Sequence, residues 1–394
     1  MQKQMIDAFF QKIEKETLII KYWDGEEKKY GSGNASLKLV FNKPLPFFFS
    51  LDDPMLSIGE AYMDDFIDFE GNFDDLMKIV SSNKALLDGI KEKPLIKSFE
   101  TIKKISSIMK QKENIGHHYD LGNDFFSLWL DETMSYSCAY FKNLEESLLE
   151  AQINKTDHIL KKLQLEPGES LLDIGSGWGG LIIRAAQQYG VKATGITISE
   201  EQYKHTKEEI EKFGLDGQVE VKLQDYLDLN ENNTQFDKIV SVGMFEHVGK
   251  ENLSMYMLKV NGLLKPGGIS LLHSIINEDE DDFNSWIDKY IFPGGYIPSL
   301  RETIALLPDF DFHLIHLESL RIHYAITLDY WYENYKKNWD YVENRYGRRF
   351  ARMWELYLKA CAANFRVAGL DVYQLLFSKG LNNELSLTFE HVYR

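Results

Sequence analysis

The stretch Leu171-Leu172-Asp173-Ile174-Gly175-Ser176-Gly177-Trp178-Gly179-Gly180 decides the fold. An apolar run of strand length breaks into a glycine-rich turn, and a helical pattern opens at Gly180. Glycines in such a turn let the backbone approach a ligand and adopt dihedral angles closed to other residues. A glycine-rich turn after a strand is common, so the flanking segments must say whether a cofactor belongs there.

Outward from this loop the pattern alternates. A helix runs to Leu163 before the first strand, and strands at Lys192 to Ile196, Val219 to Leu223, Asp237 to Val242 and Ile269 to Ile276 are separated by helices from Glu200 and over Asn252 to Leu264. Such βαβ repetition predicts a parallel sheet covered by helices, with ligand groups at the carboxyl ends of the strands. A dinucleotide enzyme would carry an acidic residue at the end of its second strand. Here that strand ends Gly195-Ile196-Thr197-Ile198-Ser199. The carboxylates sit instead at Asp173, placed to hold the amino group of a methionine-like moiety, and at Asp225, placed for an adenine amine. This distribution favours S-adenosylmethionine over NAD.

The remainder bounds the class. The 394 residues carry 61 acidic and 44 basic side chains, a net charge of −17. Nucleic-acid affinity rests on clustered Lys and Arg, so a general nucleic-acid binder is excluded. Two cysteines make no disulfide framework and fit a reducing cytosol. The start lacks the regions of a secretory signal, and no apolar run approaches the ~18 residues of a bilayer span. Residues 1–90 read as a small α+β domain. Residues 91–113 read as a basic linker helix, with seven lysines between Lys91 and Lys112, and 114–394 as the larger domain. Its tail from Leu328, rich in Tyr, Trp and Arg at helical spacing, is expected to add helices against the sheet.

Several further segments resemble the cyclopropane-fatty-acyl-phospholipid synthase family, which includes the mycolic acid cyclopropane synthases. They are Ile115-Gly116-His117-His118-Tyr119-Asp120-Leu121-Gly122-Asn123, Met134-Ser135-Tyr136-Ser137-Cys138-Ala139-Tyr140-Phe141, Phe245-Glu246-His247-Val248-Gly249, His273-Ser274-Ile275, Tyr290-Ile291-Phe292-Pro293-Gly294-Gly295 and His323-Tyr324-Ala325. Ile58-Gly59-Glu60-Ala61-Tyr62-Met63-Asp64 resembles the N-terminal domain of the longer, phospholipid-acting members. The loop departs from the family in carrying Ser176, where many members have Cys, a change conservative in size.

The resemblance implies a class I S-adenosylmethionine-dependent methyltransferase fold, Rossmann-like, and methylene transfer to the cis double bond of a phospholipid acyl chain. An alkene is a poor nucleophile, so geometry in a dry channel must supply much of the rate. Ring closure then needs a base beside the cofactor. The family's base is a bound bicarbonate, held on transferred motifs by Cys138, Glu246, His273 and Tyr324, with Ile275 contributing backbone. Implied cofactor contacts are Tyr136, Ser137, Asp173, Gly175, Ser176, Gly177, Trp178, Gly179, Thr197, Ser199, Gln202, Asp225 and Tyr226. On pattern alone, a buried strand histidine or a lone cysteine is more often core filling. Cys361, in Lys359-Ala360-Cys361-Ala362-Ala363, is a further catalytic candidate by family position, although the segment reads as small-residue helix packing. His117 and His118 suggest a metal pair, but no third ligand stands at ligand spacing, and no metal is expected. The longer members imply a homodimer. A cytoplasmic protein visiting the bilayer peripherally would use the lysine-rich stretch and Pro46-Phe47-Phe48-Phe49.

Overall fold

The computed structural model describes residues 2–13, 15–46, 53–83, 121–280 and 284–393. The expected linker 91–113, Phe47-Phe48-Phe49 and the His117-His118 segment lie outside the described residues. The chain forms two compact units. One comprises Met1–Lys104, Asn284–Ile291 and Leu328–Gly369, the other Ile105–Phe283, Phe292–Thr327 and Leu370–Arg394.

In the first unit, β1 (Leu18–Lys21), β2 (Glu27–Tyr30), β3 (Leu37–Phe41) and β4 (Ile67–Gly71) form a sheet in the order β2-β1-β3-β4. Strict alternation along β3 turns Leu37, Leu39 and Phe41 inward, which is the pattern of a half-buried strand. Helix Pro54–Met63 starts where the Asp53 side chain accepts from Leu56 N and Pro54 supplies a fixed φ. The strands and helices within residues 1–83 are of the α+β kind, but the compact unit they belong to also takes in 284–291 and 328–369.

The tail is a correction. Residues 328–369 belong to this first unit and do not simply extend the sheet domain. Helix Arg348–Val367 packs on helices Pro54–Met63 and Phe73–Ser82. Its Arg352, 6% exposed, donates to Tyr62 O at 2.6 Å, Ile67 O at 3.0 Å and Asp68 Oδ1 at 2.6 Å. A buried guanidinium needs such a full set of acceptors, and the N-terminal elements provide them.

The second unit is built on seven strands: β5 (Ser170–Ile174), β6 (Lys192–Thr197), β7 (Val219–Leu223), β8 (Phe236–Val242), β9 (Leu264–Ile276), β10 (Phe312–Ser319) and β11 (Asp371–Lys379). Their order is β10-β11-β9-β8-β5-β6-β7. The pairs among β5 to β9 are all parallel, as the alternation predicted. β11 and β10 add antiparallel strands at one edge, which the sequence reading did not identify. β5 lies between β6 and β8, so chain order reverses there, the position where open α/β sheets bind ligands. Apolar clusters fill both faces: Leu172, Ile174, Ile239, Leu272 and Leu375 on one, Leu171, Ile182, Val240, Leu271 and Leu376 on the other. No helix among the described residues is long and apolar enough to cross a membrane.

Candidate active site

The loop after β5 has the geometry its glycines promise. Gly175, Gly177 and Gly179 have φ of 83°, 55° and 83°, values that only glycine adopts without strain. At Gly179 a Cβ would stand 2.4 Å from Thr206 Cγ2, so the glycine allows close helix packing. At Gly177 a Cβ would meet nothing within 4 Å among the described residues, leaving open space over the turn. Trp178 donates from Nε1 to Asn123 Oδ1 at 2.8 Å and packs on Phe126 at 5.5 Å. Phe126 and Trp129 in turn flank Tyr136 at 5.6 and 5.2 Å, an aromatic wall beside the loop.

Asp173, next to last in β5, is 3% exposed, and its Oδ1 has no hydrogen-bond partner among the described residues. Burial pushes its carboxyl up to about 7, against the opposing pull of the Lys155 ammonium. A buried acceptor left open beside a glycine cradle suits a cationic amine, and the residues present therefore fit S-adenosylmethionine. Lys155, which the sequence reading missed, is 5% exposed on helix Leu148–Lys162 and donates to Ser137 Oγ at 2.9 Å. From the same helix, Gln152 Nε2 donates to Ser137 O at 2.9 Å and Ser135 O at 3.3 Å. The Tyr136-Ser137 segment is thus pinned from above. A lysine at helical spacing reads as a solvated face in sequence, so nothing there marked it.

Other expected contacts have defined local roles. Thr197 Oγ1 donates to Gln202 Oε1 at 2.7 Å and accepts from Ser199 N at 3.2 Å. Ser199 caps helix Glu200–Lys212 by accepting from Gln202 N. Asp225 caps the turn Tyr226–Asp228 by accepting from Leu227 N at 2.9 Å, and Tyr226 packs edge-on against Tyr256. All stand at the carboxyl ends of β6 and β7.

Glu246 lies in the short turn Phe245–His247 after β8, 9% exposed. Its Oε1 accepts from Ile275 N on β9 at 2.6 Å. Its Oε2 is buried without a hydrogen-bond partner among the described residues. Burial raises this carboxyl to about 7, although the Ile275 N–H and the Ser274 hydroxyl both act to lower it. His273, two residues before Ile275, pairs across the ladder with Val242, and its O accepts from Gly243 N at 2.9 Å. It is 2% exposed, and burial and nearby cations hold it down at about 3, so the ring is neutral.

Cys138 is 1% exposed, with its thiol reaching Ala139 O at 3.3 Å and Leu320 O at 3.8 Å. Burial raises its pKa so far that it remains a thiol. Leu320 O also accepts from Tyr324 N at 3.0 Å, and Leu320 N donates to Val372 O at 2.7 Å. One carbonyl therefore ties Cys138 and Tyr324 together, and its residue ties both to β11. Cys361 falls in the first unit, on helix Arg348–Val367, where burial pushes its thiol up to about 12. A nucleophilic cysteine needs the opposite shift.

Comparison with known proteins agrees with this geometry. The family model for mycolic acid cyclopropane synthetase matches residues 106–375, and one for a domain of unknown function matches 5–88. The chain is 41% identical over 363 residues to the cyclopropane-fatty-acyl-phospholipid synthase of Escherichia coli K12, covering 90% of this chain and 91% of that one. It is 34% identical over 387 residues to a Pseudomonas putida protein named probable fatty acid methyltransferase, covering 96% of each. The crystal structure of mycolic acid cyclopropane synthase CmaA1 complexed with SAH and CTAB superposes with a TM-score of 0.64 at 34% identity, over 68% of this chain and 98% of that one. The open acceptor on Asp173, the glycine cradle and these matches lead to one conclusion: the chain belongs to the mycolic acid cyclopropane synthetase family of S-adenosylmethionine-dependent transferases.

Proposed function

We propose that this protein is a cyclopropane-fatty-acyl-phospholipid synthase, transferring a methylene from S-adenosylmethionine to the cis double bond of an unsaturated acyl chain, with bound bicarbonate as proton acceptor. The observation that carries this reading is the Glu246 carboxyl, anchored by Ile275 N at 2.6 Å yet buried with its second oxygen unpartnered among the described residues. S-adenosylmethionine supplies an electrophilic methyl when bound, and bicarbonate a small base.

The chain's own residues supply the rest. Asp173 would hold the ammonium of the cofactor, with the Gly175 to Gly179 turn beneath it. Glu246, raised to about 7, is partly protonated near neutrality. It can therefore donate from Oε2 to a neighbouring anion, which removes the like-charge repulsion that two anions would suffer. The buried Lys155 ammonium offsets the remaining negative charge. Cys138, His273 and Tyr324 complete the holder, and the flanking aromatic rings of Phe126, Trp129 and Tyr136 exclude water from a developing cation and steady it. The substrate is a phospholipid in a bilayer, reached peripherally from the cytoplasm by a homodimer, whose paired weak anchors add.

A second reading has its own support in the Pseudomonas putida relative, whose name describes methyl transfer to a fatty acid. Cofactor with a deuterated methyl and vesicles of monounsaturated phospholipid separate the two. Ring closure leaves two deuterons in a saturated product chain, whereas methyl branching that ends by loss of a proton from the chain leaves three in a chain that keeps a double bond. Unmodified chains would dismiss both, and a rate indifferent to bicarbonate depletion would remove the proposed base.

A further inference from the structure

Glu318 on β10, Gln374 on β11 and His273 on β9 stand directly opposite one another in the ladder, so their side chains share one face. Helix Leu148–Lys162 brings His158 and Lys162, one turn apart, to the same row. His158 Nε2 meets Glu318 Oε2 at 2.6 Å, and Lys162 Nζ donates to that same oxygen. Lys162 Nζ also donates to Gln374 Oε1 at 2.7 Å, and Gln374 Nε2 meets His273 Nδ1 at 3.1 Å. Lys162 and Gln374 are 0% exposed and His273 is 2% exposed, so water does not compete for these bonds.

The chain of donors has one sense. A lysine ammonium only donates, so the amide of Gln374 must present its oxygen to Lys162. Its NH₂ then faces His273 and can only donate, which makes Nδ1 an acceptor without a proton. A neutral imidazole with a bare Nδ1 carries its proton on Nε2. The Glu318 carboxylate keeps the ammonium in place against the cost of burial, and His158 holds the same carboxylate oxygen.

We propose that Gln374 is a positioning residue which, oriented by Lys162, locks His273 in the Nε2–H form and so presents a fixed N–H donor to the anion of the proposed reaction. This rests on the reading of His273 as part of the anion holder. In the other tautomer the ring would offer a lone pair from Nε2 and repel the anion.

The test uses the full chain labelled with ¹⁵N-histidine, the His273 signal being identified by its loss in His273→Gln. The wild type is expected to show a protonated Nε2 and a bare Nδ1. Gln374→Glu places an acceptor opposite Nδ1 and should invert the tautomer, with kcat falling on the order of 10- to 100-fold, as for outer partners that orient functional histidines. KM for S-adenosylmethionine should hold. Gln374→Met keeps the volume, removes the bond and should give mixed tautomers with a smaller fall in kcat, which covers the case that the charged variant fails to fold. A wild-type Nδ1–H signal, a tautomer unmoved in the variants, or inversion with unchanged kcat would each overturn the proposal. Bicarbonate dependence of the wild type is read separately. If the rate ignores bicarbonate while the tautomer and kcat move together, the relay stands and the identity of the anion falls.

Discussion

Adjacent residues of β9 and β11 face opposite ways; apolar clusters lie on both faces, but on one of them a buried polar row interrupts the packing. Leu272 and Leu375 oppose each other in an apolar cluster with Leu172, Ile174 and Ile239. One step along, His273 and Gln374 oppose each other in the buried polar row that continues to Lys162 and Glu318. The apolar packing is non-directional, so its requirement is volume. The polar row is directional, because every donor must find its acceptor and a reversed amide leaves two groups unsatisfied. The difference teaches that apolar packing, present on both faces, supplies stability and the polar row supplies orientation, and substitutions should separate the two.

The largest effect is expected in the turn after β8. Glu246→Gln should cut kcat by about 10²- to 10⁴-fold, the usual range for a group managing a proton in the transition state. Its S-adenosylmethionine affinity, measured by calorimetry, should stay near wild type, and an equal fall in both would make Glu246 a cofactor ligand instead. In the apolar packing, Leu272→Ala, at a residue 1% exposed, should cost about 2–5 kcal/mol in denaturant melts. The kcat per folded molecule should hardly move, and a matching loss of activity would erase the division between packing and polar row.

A pH titration sharpens the comparison at Asp173, which pairs with Val240 on the sheet face that also carries His273 and Gln374. Its folded pKa, about 7, lies above the ordinary 3.8. The folded ligand-free protein therefore keeps a proton that the unfolded chain loses, and this contribution to stability disappears as pH rises between those values. Cofactor binding has the opposite sign, because an ammonium prefers the carboxylate. Affinity should weaken by up to about tenfold per unit as pH falls below 7, and Asp173→Asn should be weak and flat. The smallest effect belongs to the other unit. Cys361→Ser should change kcat by less than about twofold, as for substitutions that touch no special feature. A large loss would return that thiol to the chemistry.

The strands β5 to β9 were legible because parallel strands buried on both faces read as apolar runs between amphipathic helices. Asp173 was legible because it precedes a glycine turn, and Glu246 because it follows a strand. The edge strands were not legible. Phe312–Ser319 carries His313, His316 and Glu318 among its apolar residues, a composition that argues against burial until a helix is laid over it. Lys155 and Lys162 had the spacing of a wet helix face and are buried. The tail helices were recognisable as helices, but their partners were not, since an amphipathic stripe states that a surface is covered without naming what covers it.

The sequence by itself determined the parallel sheet and the glycine-rich loop, because each is written in a local pattern of period and glycine, whereas the residues of the proposed anion holder came from the family resemblance. Only the tertiary structure decided which unit the tail joins, which carboxyls are driven to a pKa near neutrality, and that Gln374 meets His273 across 101 residues of chain. The reason is physical. Desolvation and hydrogen-bond direction are properties of what surrounds a group in space, and an antiparallel strand returning to the sheet from the far end of the chain sets those surroundings.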